Sequence, residues 1–258
     1  MDLRNAKIEV ATLLSKTLVG TIKVMIELSS YANPHLYEMT SRMSKYGKEI
    51  LGIINYDRNY LWVIDLAINL SQIGCLSLNS LILNKRYSNI ILKVEDQEKY
   101  NDHPRKGGDL IAKIPRLDKV AEIVRNQFTH PNDIRKGTSE IVEVGIGVLN
   151  LLITYEDLLL KGYSKVGALN YLTISPPGYP KPFIDAFSKI INEEIHSVLD
   201  NISVDKAKKG MVLAEDIISK DGDVLIIKST ILTDTLINML NFLNRNGELD
   251  KISVLKRE

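Results

Sequence analysis

The sequence predicts a mainly α protein, with a multi-helix bundle over residues 1–199 and a small α+β module over residues 200–258. Three observations carry this. Apolar residues recur at three- and four-residue spacing through residues 1–195, the period of an amphipathic helix. Proline, glycine and Asn-Pro positions divide that stretch into helix-sized pieces. Beyond Leu199 the pattern changes to short alternating runs punctuated by Gly210 and Gly222, which is strand-and-turn chemistry.

The elements follow in order. Leu13, Leu14, Leu18, Ile22, Met25 and Ile26 outline a first helix. Asn33-Pro34 is a turn that opens the next, HLYEMTSRMSKYGKEILG, which stops near Gly52. Residues 55–59 are a polar loop, and residues 60–70 are apolar on most faces, as expected of a helix inside the bundle. Residues 84–102 are charged and read as a surface connection holding one short helix. His103-Pro104 starts another helix, with Leu110, Ile111 and Ile114 on one face, and Pro115 breaks it before LDKVAEIVRNQF. THPNDIRKGT at 129–138 is a polar loop. Ser139 caps a long apolar helix that runs to Leu160 and closes at Gly162. SPPGYPKP at 175–182 is a rigid turn, followed by FIDAFSKIINEEIHSVL as the last helix of this part. In the module, VLAEDII and VLIIK are strands around a KDGD turn, Thr233 or Asp234 caps a short helix, and KISVL is a final strand.

The composition is that of an ordinary globular protein. Of 258 residues, 45% are hydrophobic and 25% charged, and the formal net charge is +1. That balance gives no electrostatic case for nucleic acid or for a membrane surface. VGIGVLNLLI at 144–153 is too short to span a bilayer, and MDLRNAKIEV lacks the apolar run of a secretion signal. The single cysteine, Cys75, has no intrachain disulfide partner. A cytoplasmic protein is the expectation.

Two polar residues, Ser71-Gln72, interrupt the apolar run LWVIDLAINL at its end and are followed by Ile73-Gly74-Cys75. Read with ANPHLYEMTSRMSKYG at 32–47 and DHPRKGGDLIAKIPRLDKVAEIV at 102–124, the stretch NLSQIGCLSLNSLIL resembles the HD superfamily of phosphohydrolases. The closest likeness is to its HD-GYP branch, associated with cyclic-di-GMP signalling and response-regulator outputs. The resemblance implies metal-assisted attack of a bound hydroxide on phosphorus, with iron or manganese held by inward imidazoles and carboxylates. Here Arg42 matches a family Arg, and His103 holds a metal-ligand position. Met39, Ser71, Gln72, Gln127, Phe128 and Ile153 fall where the family places its other ligands. Hydroxyl, amide and hydrocarbon groups are poor substitutes, so neither a metal nor catalysis is expected. Gly178-Tyr179-Pro180 spells the branch's triplet, but well past its usual loop, and reads as a proline-rich turn. KKGMVLAEDIISKDGDVLIIKSTILT resembles a small module found after HD domains in response-regulator proteins. Nothing at the N-terminus resembles a receiver's acidic pocket, so an output type without a receiver is expected.

The implied function is a catalytically inactive regulatory or protein-interaction module in bacterial signal transduction. Its partner would be another signalling protein or a second copy. Two alternatives stand beside it. One is a divergent phosphodiesterase of cyclic dinucleotides, recruiting His103, His130, Asp133 and Glu156 around iron or manganese. The other is a nucleotide sensor without hydrolysis, in which Arg105, Lys106, Gly107 and Gly108 at a helix N-terminus receive a phosphate.

Overall fold

The computed structural model describes residues 13, 17, 20–27, 31, 33–175, 178–220 and 222–255. Leu14 and Leu18 of the first expected helix, and Asp221 of the KDGD turn, lie outside the described residues, as do the side chains of residues 196–199. The chain divides into two compact units, Met1–Ile190 and Ile191–Glu258. It is mainly helical, with a few short strands in the second unit.

In the first unit, α1 (Pro34–Ile53) begins as the Asn-Pro pair dictates, with Asn33 Oδ1 accepting from the Leu36 backbone N–H at 3.2 Å. Its buried stripe, Leu36, Thr40, Met43, Gly47 and Ile50, has helical spacing and packs on α2 (Leu61–Leu70), which is buried on most faces. A 3-10 turn at Ile73–Ser77 leads to α3 (Ser80–Tyr87), α4 (Val94–Asn101), α5 (His103–Ile111) and α6 (Asp118–Arg125). After a short 3-10 turn at Pro131–Asp133 comes α7 (Glu140–Leu160), then α8 (Lys165–Ile174) and α9 (Lys181–Val198). The centre of this unit is α7, which packs against α1, α2, α6 and α8. Glycines permit two close helix contacts here: a Cβ on Gly47 of α1 would meet Ile68 of α2, and one on Gly145 of α7 would meet Ile123 of α6. Tyr46, Tyr155 and Phe187 pack edge to face, with centroids 4.8–6.2 Å apart, which fastens the start of α9 to α1 and α7.

Three local features differ from expectation. Residues 84–102 hold the expected short helix, α4, together with the end of α3, but the stretch is not all surface: Tyr100 is buried and Arg86 turns inward. On α5 the inward stripe is His103, Pro104, Gly107, Gly108 and Ile111, and Leu110 faces water. The small residues let the helix lie against its neighbours by backbone, which a hydrophobicity pattern does not register. Between Gly162 and the proline-rich turn stands α8, capped by the Ser164 hydroxyl and buried through Ala168, Leu169 and Leu172.

The second unit takes up the end of α9. Its strand β1 (Leu199–Ser203) runs antiparallel to β4 (Lys251–Leu255), with Leu199 opposite Leu255 and Ser203 opposite Lys251. A second pair joins β2 (Ile217–Ile218) to β3 (Val224–Ile226). Helix α10 (Asp234–Arg245) starts at Thr233, whose hydroxyl accepts from the Leu236 N–H at 3.3 Å. Leu213, Ile217, Ile226, Leu232, Leu240, Ile252 and Val254 form its core. The expected strand VLAEDII shrinks to Ile217–Ile218, with Val212 and Leu213 in single bridges. Glu215 takes the Ser253 hydroxyl and Asp216 takes the Lys228 N–H, so side-chain acceptors replace ladder bonds there. No helix among the described residues is long and apolar enough to cross a membrane.

Candidate functional site

The site is built where the 3-10 turn after α2 meets the start of α5. Gly74 is the reason they meet. A Cβ there would sit 1.9 Å from the His103 carbonyl oxygen and 2.9 Å from the Gly107 nitrogen. With no side chain in between, Ser71 and Gln72 lie beside His103. Gly108 is equally constrained on its other side, by the Ala121 carbonyl and the Arg125 stem.

Ser71, Gln72, His103 and Gln127 are all buried, and they form one hydrogen-bonded cluster. Gln127 Nε2 lies 3.1 Å from the Ser71 carbonyl oxygen and 3.1 Å from His103 Nε2. A carbonyl only accepts, which fixes the amide orientation. Gln127 therefore donates to His103 Nε2, and the imidazole proton is on Nδ1, where it meets the Tyr100 carbonyl at 2.6 Å. Burial holds the imidazole neutral, pushing its pKa down to about 4, and the Arg86 charge acts in the same direction. Ser71 Oγ accepts from Gln72 Nε2 at 3.4 Å, and the Cys75 thiol donates to Gln72 Oε1 at 3.5 Å. Burial drives that thiol up to about 12, so it stays protonated and unreactive. Gln127 Oε1 is buried without a partner among the described residues.

Of the remaining ligand-like positions, Phe128 and Met39 border this cluster. Phe128 presents its ring edge-on to His103, with centroids 5.4 Å apart. Met39 is half-buried against Leu36, Cys75, Leu83 and Tyr100, and Ile153 is buried on α7. Charge lies to either side. Arg42 holds the buried Glu156 through two bonds, of 2.8 and 3.3 Å, joining α1 to α7. Arg86 pairs with Asp157 and lies 4.5 Å over the Tyr100 ring, joining α3, α4 and α7. Above Gln72 the described residues Thr40, Asn69 and Ile26 line a dimple of about 10 Å³, about the size of a single water.

The other candidate residues are spread out. Arg105 is exposed and pairs with Asp102 and Asp109, while Lys106 lies 3.6 Å from Asp102. Gly107 and Gly108, next to them, face neighbouring backbone. His130 accepts from the Asn132 N–H and stacks on Tyr179, and Asp133 is exposed. Among the described residues no three His, Cys, Asp or Glu side chains converge as a metal set. The Gly178-Tyr179-Pro180 turn packs against the loop after α6. Asn132 Nδ2 donates to the Gly178 carbonyl, and the Tyr179 hydroxyl reaches Asn150 and Thr154 on α7.

Compared with known families, residues 23–133 match the HD domain. No curated protein matches the chain. The match takes in α1 to α6, and so Met39, Ser71, Gln72, His103, Gln127 and Phe128. The superfamily's two-metal centre does not fit the residues present. The cluster offers one imidazole, already bonded at both nitrogens, together with a hydroxyl, two amides and no carboxylate. Asn150 and Arg86 escaped the reading of the sequence, which took Tyr179 only as part of a proline-rich turn. Asn150 was detectable in principle, as one amide inside the apolar run VGIGVLNLLI. Arg86 sits in a charged stretch that hides it.

Proposed function

We propose that the chain is a catalytically silent HD-type regulatory module of the HD-GYP kind, acting in bacterial signal transduction through protein contacts. One observation carries this reading. Four of the positions where the family holds metals, Ser71, Gln72, His103 and Gln127, carry buried, neutral groups bonded to one another, above all through Gln127 Nε2, which donates to both His103 and the Ser71 carbonyl. A catalytic centre of this class needs ligands free to bind an ion and a cavity for the phosphoester. Here both imidazole nitrogens are committed and the opening above Gln72 has room for one water. The folded helical framework supports a mechanical role, and the partner would be another signalling protein or a second copy of this chain.

The test is hydrolysis of cyclic-di-GMP and of bis(p-nitrophenyl) phosphate with manganese or ferrous iron supplied anaerobically. The expected outcome is no turnover above the rate without protein. Turnover that disappears in His103→Ala would replace this reading with that of a divergent phosphodiesterase.

A further inference from the structure

We propose that Tyr179 is a latch, its phenol coupling the start of α9 to the buried Ser71–His103–Gln127 cluster, so that a change at either end is felt at the other. The links are each a single hydrogen bond with a fixed direction. Asn150 Nδ2 donates to the Gln127 carbonyl at 3.0 Å, which turns Asn150 Oδ1 towards Tyr179. That oxygen only accepts, so the Tyr179 hydroxyl donates to it, at 2.8 Å. Thr154 Oγ1 lies 2.9 Å from the same hydroxyl as a second acceptor for its one proton, and donates its own proton to the Asn150 carbonyl at 2.8 Å. From Gln127 the side chain continues to His103 and Ser71, each at 3.1 Å.

The turn is held from a second side. The His130 ring stacks on Tyr179 with centroids 4.9 Å apart, and Asn132 Nδ2 donates to the Gly178 carbonyl at 3.4 Å. Tyr179 is therefore clamped between the loop after α6 and the middle of α7. Directly beyond it, the Pro180 carbonyl accepts from the Phe183 and Ile184 N–H groups and forms the first turn of α9. Any ligand or partner that displaces Gln127 or the 129–133 loop acts on these bonds. By linkage, anything that shifts the start of α9 acts back on the cluster to the same extent. The latch does not depend on whether the cluster catalyses anything, so its failure leaves the proposed function untouched, and the converse is also true.

Hydrogen exchange on the full chain tests it, with Tyr179→Phe, which keeps the ring and its stacking, and Gln127→Leu, which acts from the far end. The latch predicts at least about tenfold faster exchange in both variants, at the first turns of α9 and at residues 126–133, with α10 and the β1–β4 pair unchanged. In a double-mutant cycle the two substitutions combine non-additively. Faster exchange confined to the neighbourhood of each substitution, or additive effects on unfolding, overturns the proposal. If Gln127→Leu does not fold, Asn150→Ser takes its place in the same comparison.

Discussion

The two faces of α5 hold polar groups in opposite ways. On the inner face His103 is fully buried and neutral, with each ring nitrogen bonded. On the outer face, one turn away, Arg105, Lys106 and Asp109 keep their charges, pair loosely with one another and with Asp102, and face water. The difference shows what burial permits in this fold. Without an ion inside, a charged inner face would cost several kcal/mol, and neutral groups that satisfy each other avoid that cost. Arg42 and Arg86 each carry a carboxylate partner from α7. The inner face should therefore respond strongly to substitution and to pH, and the outer face hardly at all.

The largest effect should come from closing the contact that seats the inner face. Gly74→Ala places a methyl group against the His103 carbonyl, where backbone must shift, and should cost about 3 kcal/mol or more in denaturant unfolding. A loss below about 1 kcal/mol would mean that the turn and α5 are less closely packed than described.

The next effect is in pH. The folded His103 pKa, about 4, lies below the ordinary value of 6.5, so the unfolded chain binds the extra proton first. Stability is then complete above pH 6.5 and falls as the pH is lowered towards 4. The loss amounts to about 3.5 kcal/mol at most, at about 1.4 kcal/mol per pKa unit. Urea midpoints measured across that window should slope downwards in the wild type, and most of that slope should vanish in His103→Gln. An unchanged slope in the variant would move the buried, neutral imidazole out of the account.

The smallest effect belongs to the outer face. Arg105→Ala and Lys106→Ala should leave the melting temperature unchanged within error, and raised salt should not alter the comparison, because exposed pairs of this kind contribute little. A clear loss would show that the outer charges support the helix more than their exposure implies.

The helices were legible because their periods, caps and breakers are local. Asn33-Pro34, Ser139 and Gly162 stand where the sequence puts helix starts and stops. The shared location of Ser71, Gln72, His103 and Gln127 was legible only through the HD resemblance, since they are scattered along the chain. What those groups do to one another was not legible. Whether Gln127 bonds to a backbone carbonyl or to an imidazole depends on angstrom-scale placement by Gly74 and α7. The inward turn of Arg86 and the docking of Tyr179 on Asn150 are tertiary choices with no periodic trace. The α5 stripe was misplaced onto Leu110 because glycine, which makes the close packing there, carries no hydrophobic signal.

The most direct test of the central claim is elemental analysis of the protein, expressed in iron- and manganese-replete medium and purified without chelators or a metal-affinity step. A neutral, mutually bonded cluster predicts no stoichiometric transition metal in a protein that is fully folded by circular dichroism. Two equivalents of iron or manganese per chain would contradict it, and would require ligands other than those around His103.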